Sequence, residues 1–94
     1  MEPLTERDFS RQVIDLARFR GWLIYHSWTS IHSPAGFPDL VMTRKGRLIF
    51  AELKRDKGKL TPAQEEWLAA LHETAAGVYE WRPADWENIM EILS

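Results

Sequence analysis

The spacing of apolar residues in the first third of the chain predicts a helix followed by a strand. Thr5 is a typical helix cap, and Gly21 is a typical helix end. Between them apolar residues recur at helical spacing: Phe9, Val13, Leu16 and Ala17. Residues 22–28 are aromatic and β-branched and predict a strand. Residues 29–37 are rich in Ser, His, Pro and Gly and predict a loop.

Two apolar runs in the middle of the chain predict a β-hairpin. Residues 40–43 and 48–53 form these runs, and the turn between them, residues 44–47, contains three basic residues and a glycine. A second helix is predicted to start after Thr61, since Pro62 suits the first helical position and Gln64 completes a capping box. Its apolar face is predicted to consist of Trp67, Leu68, Leu71 and Ala75.

The rest of the chain predicts a short strand and a final helix. Gly77 ends the second helix, residues 78–81 form the strand, and Pro83 opens the last helix. The order α-β-β-β-α-β-α predicts an α/β fold with a central sheet covered by helices on both faces. Turns with positive φ are predicted at Gly36, Gly46 and Gly58. Ninety-four residues predict one domain, 1–94.

Composition limits the class of protein. The absence of cysteine excludes disulfides and thiolate metal sites. The sequence contains no apolar run near the roughly 20 residues that a membrane span needs. The first six residues lack the basic and apolar regions of a signal peptide. We therefore expect a cytoplasmic protein without a membrane partner.

Charge is unevenly distributed along the chain. The net charge is −2, but residues 44–59 hold seven of the twelve basic residues and two acids, about +5. Residues 60–94 hold seven acids and one base, about −6. The basic stretch is a candidate phosphate-binding patch, and a solvated lysine-rich turn is the alternative.

Three charged residues flank the apolar hairpin and suggest chemistry. Side chains alternate along a strand, so Glu52 and Lys54 point to the same face, and Asp39 lies near them if the two strands pair. Charges in buried strands are costly unless they are paired or bind a metal. Two carboxylates suit Mg²⁺ or Mn²⁺. The alternative is a buried ion-pair cluster of Lys54 with Asp39 or Glu52.

The strings around these residues resemble a known family. Pro38-Asp39 followed by Glu52-Leu53-Lys54 is similar to the pattern of the PD-(D/E)XK nuclease superfamily. The wider set resembles the VRR-NUC (virus-type replication-repair nuclease) domain in its small stand-alone phage or bacterial form. That set comprises Gly36–Leu40, Ala51–Lys54, Gly58–Gln64 and Trp81–Pro83. The resemblance covers nearly the whole chain and implies a restriction-endonuclease-like αβββαβ core.

The resemblance also implies a role for each matching residue. Asp39, Glu52 and the backbone carbonyl of Leu53 would bind Mg²⁺, with Mn²⁺ as a substitute, and one or two ions are both compatible. Lys54 would orient or deprotonate the attacking water. Glu6 would hold a metal-bound water or a second ion; the alternative is that it only complements the helix dipole. Gln64 would face the site; the alternative is that it only completes its capping box.

The function implied by the resemblance is metal-dependent hydrolysis of DNA phosphodiester bonds. The preferred substrate would be branched DNA, as for Holliday junction resolvases, and symmetric cutting would need a homodimer. The first helix and residues 26–37 are candidate interfaces. The alternatives are a nicking or restriction-like enzyme on duplex DNA and a DNA-binding accessory module that does not cleave. Further residues are candidates for DNA contact: His26, Trp28, Ser30, His32, Ser33, Lys57 and Lys59.

Overall fold

Three α-helices and four β-strands make up the regular structure of the residues that the computed structural model describes, 4–27 and 34–94. Their order agrees with the predicted one. In chain order they are α1 Glu6–Phe19, β1 Leu23–His26, β2 Leu40–Arg44, β3 Arg47–Leu53, α2 Pro62–His72, β4 Gly77–Trp81 and α3 Trp86–Ile92. A 3₁₀ turn, Pro83–Asp85, precedes α3. No helix within these residues is long and apolar enough to cross a bilayer.

The four strands form one mixed sheet in the order β1-β2-β3-β4. β1 pairs with β2 and β2 with β3 in antiparallel fashion, and the pairing of Leu40 with Ala51 sets the register of the hairpin. β3 and β4 are parallel, and α2 makes the connection between them. The α/β class and the hairpin are therefore confirmed.

Helices cover both faces of the sheet, as the sequence predicts. The main core lies between the sheet and the helices α1 and α3, and its members are Phe9, Val13, Ala17, Trp22, Leu40, Met42, Ile49, Ala51, Leu53, Trp81, Ile89 and Leu93. On the opposite face Phe37 packs edge-on against Phe50 of β3 and Trp67 of α2, with ring centroids 6.1 and 5.1 Å apart. Because side chains alternate along β3, this second face also receives Glu52.

The basic hairpin turn has a structural role at the end of the sheet away from Asp39. Arg44 donates hydrogen bonds to the carbonyls of Arg20 and Ser94, and Arg47 donates to the carbonyl of Ile92. Both guanidinium groups also lie over the Trp22 ring, at 5.0 and 4.9 Å from its centre. The interpretation of this turn as part of a phosphate-binding patch beside Asp39 and Glu52 is wrong, because the turn lies at the other end of the hairpin and its two arginines hold the C-terminal ends of α1 and α3.

Two of the predicted boundaries are also wrong. The second helix ends at His72, so Ala75 lies outside it and is exposed. The Thr74 hydroxyl donates to the Leu71 carbonyl and accepts from the Ala76 amide, and these bonds replace the next helical turn. The predicted strand at 22–28 is observed as Leu23–His26, and residue 28 lies outside the described part of the chain.

Two of the three predicted glycine turns are confirmed. Gly36 and Gly46 have φ values of 93° and 82°, whereas Gly58 does not have positive φ. A Cβ at Gly36 would lie 2.5 Å from the carbonyl carbon of Ala63 in the first turn of α2. A Cβ at Gly46 would meet nothing within 4 Å. Gly36 therefore allows the segment before Asp39 to pack directly on α2.

This contrast predicts unequal effects of two matched substitutions. Gly46→Ala forces an alanine into the left-handed region and should cost about 1–2 kcal/mol in the free energy of unfolding. Gly36→Ala adds a clash with backbone and should cost about 2–5 kcal/mol. Urea denaturation of both variants measures the difference. Equal losses would show that the close approach of Gly36 to α2 does not occur in solution.

Candidate active site

The start of β2 and the end of β3 are joined by a hydrogen bond to a side chain. The Leu53 amide donates to Asp39 Oδ2 at 2.9 Å. The register that pairs Leu40 with Ala51 places Asp39 opposite Glu52. The Asp39 carbonyl also accepts from the Ser27 amide at 2.8 Å, so the residue is fixed on both sides. The expectation from the sequence that the carboxyl groups of Asp39 and Glu52 lie close together agrees with this geometry.

Glu52 is the buried charged residue of the site. Its exposed fraction is 1%, and its Oε2 atom has no hydrogen-bond partner among the described residues. Burial raises the pKa of Glu52 to about 9, and the Asp39 carboxyl adds to this by hydrogen bonding and by charge. The Lys54 charge lowers the pKa, and the Glu6 charge raises it further. In the absence of a cation, burial therefore favours a proton on the Asp39–Glu52 pair.

Lys54 lies next to this carboxyl pair without bonding to it. It is half-buried and follows Glu52 by two residues, so in an extended chain the two side chains point to the same face. Its ammonium group makes no hydrogen bond or ion pair with any described residue; within those residues the ion pair joins Arg82 to Glu80. The alternative of a buried Lys54 ion-pair cluster is therefore not what the structure shows.

Glu6 lies where two grooves meet. It is exposed at the first position of α1, one residue after the Thr5 cap. The first groove, here the 54–59 groove, has a volume of about 770 Å³ and is lined by Leu4–Glu6 and Lys54–Lys59. The second, here the α1–β1 groove, has a volume of about 960 Å³ and runs between α1 and β1 from Glu6 and Asp39. Its position and its effect on Glu52 place Glu6 within electrostatic reach of the carboxyl pair.

Gln64 is held by the capping box of α2. Its Oε1 accepts from the Thr61 amide at 2.9 Å, and its own amide donates to the Thr61 hydroxyl at 3.2 Å. It does not line either of the two grooves. The capping role read from the sequence is therefore observed, while a role in the site stays a prediction.

Arg82 holds the backbone of the segment that follows Lys54, a role that the sequence did not predict. Its guanidinium donates to the carbonyls of Arg55 and Gly58 at 2.8 and 2.6 Å and also contacts that of Asp56. It pairs with Glu80 on its other side. These bonds hold the segment that follows Lys54, so the residue directly after β4 fixes one wall of the 54–59 groove. The only sequence signal was its place in the Trp81-Arg82-Pro83 string.

The remaining candidate contact residues are only partly described. His26 lines the α1–β1 groove near Asp39, and Lys57 and Lys59 line the 54–59 groove. The candidates Trp28, Ser30, His32 and Ser33 lie outside the described residues.

The donor set fits a hard cation that keeps most of its water. Within residues 4–27 and 34–94, no group of three or more Asp, Glu, His or Cys side chains is arranged to hold a metal. Mg²⁺ is commonly bound by only one or two carboxylates, with water and substrate phosphates completing its coordination. Asp39 and Glu52, whose buried Oε2 has no partner among the described residues, are of the ligand type and number that such a coordination uses.

The raised pKa of Glu52 predicts that the metal-free protein loses stability as pH rises. The folded state keeps a proton that the unfolded state releases above pH 4.5, so the free energy of unfolding should fall between about pH 4.5 and 9. The slope is at most about 1.4 kcal/mol per pH unit. Glu52→Gln should remove this slope and be more stable than the parent at pH 8. Urea denaturation in EDTA at pH 5 and pH 8 measures both effects.

Glu66→Gln is the matched control, because Glu66 is exposed and should leave the slope unchanged. If Glu52→Gln were less stable than the parent at both pH values, Glu52 would be ionised and paired in the folded state.

Comparison with known proteins identifies the family. The VRR-NUC domain model matches residues 25–82. A solved structure described as a VRR_NUC domain protein is 22% identical, with a TM-score of 0.76 over 98% of this chain and 87% of the other, a likeness of fold alone. No curated protein matches the chain. Because the family model covers more than half of the residues, the chain belongs to the VRR-NUC domain family, a family of nuclease-type domains that act on DNA.

Proposed function

We propose that the chain is a divalent-metal-dependent DNA endonuclease. The observation that carries the proposal is the buried Glu52 carboxyl, which faces Asp39 and has the ammonium group of Lys54 beside it; among residues 4–27 and 34–94, neither Glu52 Oε2 nor that ammonium group has a hydrogen-bond partner. A purely structural cluster would pair these charges with one another. Membership of a nuclease-type family supports the same conclusion.

Asp39, Glu52 and the backbone carbonyl of Leu53 are the proposed ligands of Mg²⁺, for which Mn²⁺ would substitute. Such a cation, when bound, supplies charge neutralisation at the scissile phosphate and a lower pKa for water. The protein contributes the geometry: the Leu53 amide holds Asp39 in place, and the buried position of Glu52 keeps one oxygen available. The proton on Glu52 has to leave before the cation binds, so metal affinity should rise with pH.

Lys54 is proposed to orient the attacking water and to stabilise the negative charge that develops on the phosphate. Its ammonium donors are not used by described residues, so they are available to a substrate. Hydrolysis would form a bond between the water oxygen and phosphorus and break the bond between phosphorus and the leaving oxygen, and the proton that the water loses would be balanced by the one that the leaving oxygen takes up from solvent. Glu6 is proposed to hold a water or a second cation at the junction of the two grooves. For Gln64 a contribution is proposed only through its amide NH₂, because its carbonyl oxygen caps α2.

Removal of the carboxylates should abolish cleavage but preserve DNA binding. We expect Asp39→Asn and Glu52→Gln to lose metal-dependent cleavage, because each removes a proposed ligand charge. Lys54→Ala should lose roughly a hundredfold or more in rate while cation binding is kept. Lys45→Ala is the control, since Lys45 lies in the hairpin turn at the other end of the sheet. Gel assays with Mg²⁺ and Mn²⁺ measure cleavage, and calorimetry measures cation binding. Full activity of Asp39→Asn would show that the site is assigned wrongly.

We further propose that the enzyme prefers branched DNA, as a Holliday junction resolvase does. The same assay separates this from the alternatives if it compares a four-way junction, a flap, a nicked duplex and a plain duplex of one sequence. Equal cutting of plain duplex would favour a nicking or restriction-like enzyme. Binding without any cleavage in either cation would favour an accessory module.

A homodimer is the proposed active form, because cutting a junction symmetrically needs two sites. Two large apolar side chains are strongly exposed at the end of α1 away from Glu6: Phe19 at 86% and Leu23, at the start of the edge strand β1, at 74%. Such a patch on a small protein commonly marks a contact surface. An interface there would leave the carboxyl pair of each subunit accessible.

The dimer proposal predicts that one charge in this patch separates the subunits. Leu23→Glu should sediment as a monomer at concentrations where the parent sediments as a dimer, because a buried unpaired carboxylate opposes association. Ala69→Glu adds the same charge on the exposed surface of α2 and should leave the mass unchanged. A monomeric mass for the parent with junction DNA bound would contradict the proposal.

A further inference from the structure

The basic side chains of the chain fall into two groups. Three of the twelve, Arg44, Arg47 and Arg82, donate hydrogen bonds to backbone carbonyls and thereby hold parts of the fold together. The side chains of the other nine make no hydrogen bond or ion pair with any described residue. Those nine are therefore available for a partner outside the chain.

Seven of these nine available side chains line the two grooves that meet at Glu6. Four belong to the 54–59 groove: Lys54, Arg55, Lys57 and Lys59. Three belong to the α1–β1 groove: Arg7, Arg11 and Arg18. Only Arg20 and Lys45 lie outside both grooves. Free positive charge is thus concentrated on both sides of the carboxyl pair.

The three arginines of α1 form one row along the α1–β1 groove. At 3.6 residues per turn, positions 7, 11 and 18 lie within about 40° of one another around the helix axis. Arg7 and Arg18 are about 16 Å apart along the helix at 1.5 Å per residue. That distance corresponds to roughly five nucleotides at the 3.4 Å rise of one strand.

The arginines of the α1–β1 groove can bind a phosphate backbone once the two carboxylates of the candidate cation site are set apart. Glu6 and Asp39 lie at the end that belongs to the carboxyl pair, and the other acidic residue of the lining is Asp15. The whole lining holds three arginines and three carboxylates; because Glu6 and Asp39 belong to the candidate cation site, Asp15 is the carboxylate that remains beside the three arginines. The remaining lining residues are neutral or aromatic: Ser10, Ile14, Ile24, Tyr25 and His26.

We propose that the α1–β1 groove binds the sugar–phosphate backbone of the DNA strand that is cut, with Arg7, Arg11 and Arg18 contacting phosphates spread over about five nucleotides. The inference rests on the proposed nuclease function and states where the substrate lies. The strand passes Asp39 and Glu52 at the junction of the grooves and continues along the 54–59 groove, where Lys57 and Lys59 bind its other side. Because arginine–phosphate contacts do not read bases, this surface positions the strand without selecting a sequence.

The experiment compares two double variants that remove the same number of positive charges. Arg7→Gln with Arg11→Gln changes the groove, and Arg20→Gln with Lys45→Gln changes basic residues outside both grooves. Binding of a labelled oligonucleotide, as single strand and as blunt duplex, is measured in EDTA over a range of salt concentrations. The groove variant should bind at least tenfold more weakly. Its salt slope should fall by about 1.4 for the single strand or about 1.8 for the duplex.

The control variant should keep the parent's affinity and slope, and Arg7→Lys with Arg11→Lys should keep most of both. Arg18→Gln should lower the slope by about half as much as the double groove variant, because it removes one contact. Arg7, Arg11, Arg18 and Lys45 are exposed, and the half-buried Arg20 makes no side-chain hydrogen bond with a described residue, so the unfolding midpoints of all these variants should match the parent's. Equal losses in the groove and control variants, or no measurable binding by the parent, would overturn the proposal.

Cleavage of the same oligonucleotides in Mg²⁺ and Mn²⁺ separates this inference from the function on which it rests. If the parent cuts DNA and the groove variant binds and cuts as well as the control, the groove assignment fails and the nuclease function stands. If the groove variant loses binding but the parent cuts none of the DNAs tested, the binding surface stands and the nuclease function fails.

Discussion

The placement of a carboxyl group on a covered strand is the constraint on which the arrangement of the site depends. Leu53 and Trp81 are buried on the core face, so strand alternation directs Glu52 to the opposite face, where it is buried as well. An unsatisfied buried oxygen costs about 1–3 kcal/mol. The fold tolerates this cost because the large core on the other side fixes β3 in register. The same register brings Asp39 opposite Glu52. The position of β3 therefore explains both the unsatisfied Glu52 oxygen and the pairing of the two carboxyl groups.

The structure around this carboxyl pair consists mainly of contacts that hold two loops in place. Before Asp39, Gly36 packs on the Ala63 backbone and Phe37 packs between Phe50 and Trp67. After Lys54, the guanidinium of Arg82 donates to three backbone carbonyls, those of Arg55, Asp56 and Gly58. The second loop is thereby tied to β4, which pairs with β3. The segment before Asp39 is thus positioned by α2 and β3, and the segment after Lys54 by Arg82, which directly follows β4.

Local patterns predicted most elements of this fold, because caps and strand runs act over a few residues. Thr61 with Gln64 and the hairpin around Gly46 are such cases, and both were found as predicted. Which arginines bind backbone carbonyls and which line a groove could not be predicted in the same way. Arg44 and Arg47 look available in the sequence, but their partners are carbonyls at the distant C-terminus. Arg7, Arg11 and Arg18 look like the solvated side of an amphipathic helix, and only the position of β1 shows that they line a groove.

The distinction between basic side chains bound within the fold and those without described partners explains how a chain of net charge −2 can bind a polyanion such as DNA. Electrostatic interactions between exposed charges are screened over about 8 Å at physiological ionic strength, so a phosphate responds to the charges beside it and not to the total. Seven basic side chains without described partners line the two grooves, whereas the acidic excess belongs to residues 60–94, which line neither groove. Arg82, the single base of that segment, is used by Glu80 and the 55–58 carbonyls. The separation of structural from available arginines, rather than net charge, therefore determines where DNA is expected to bind.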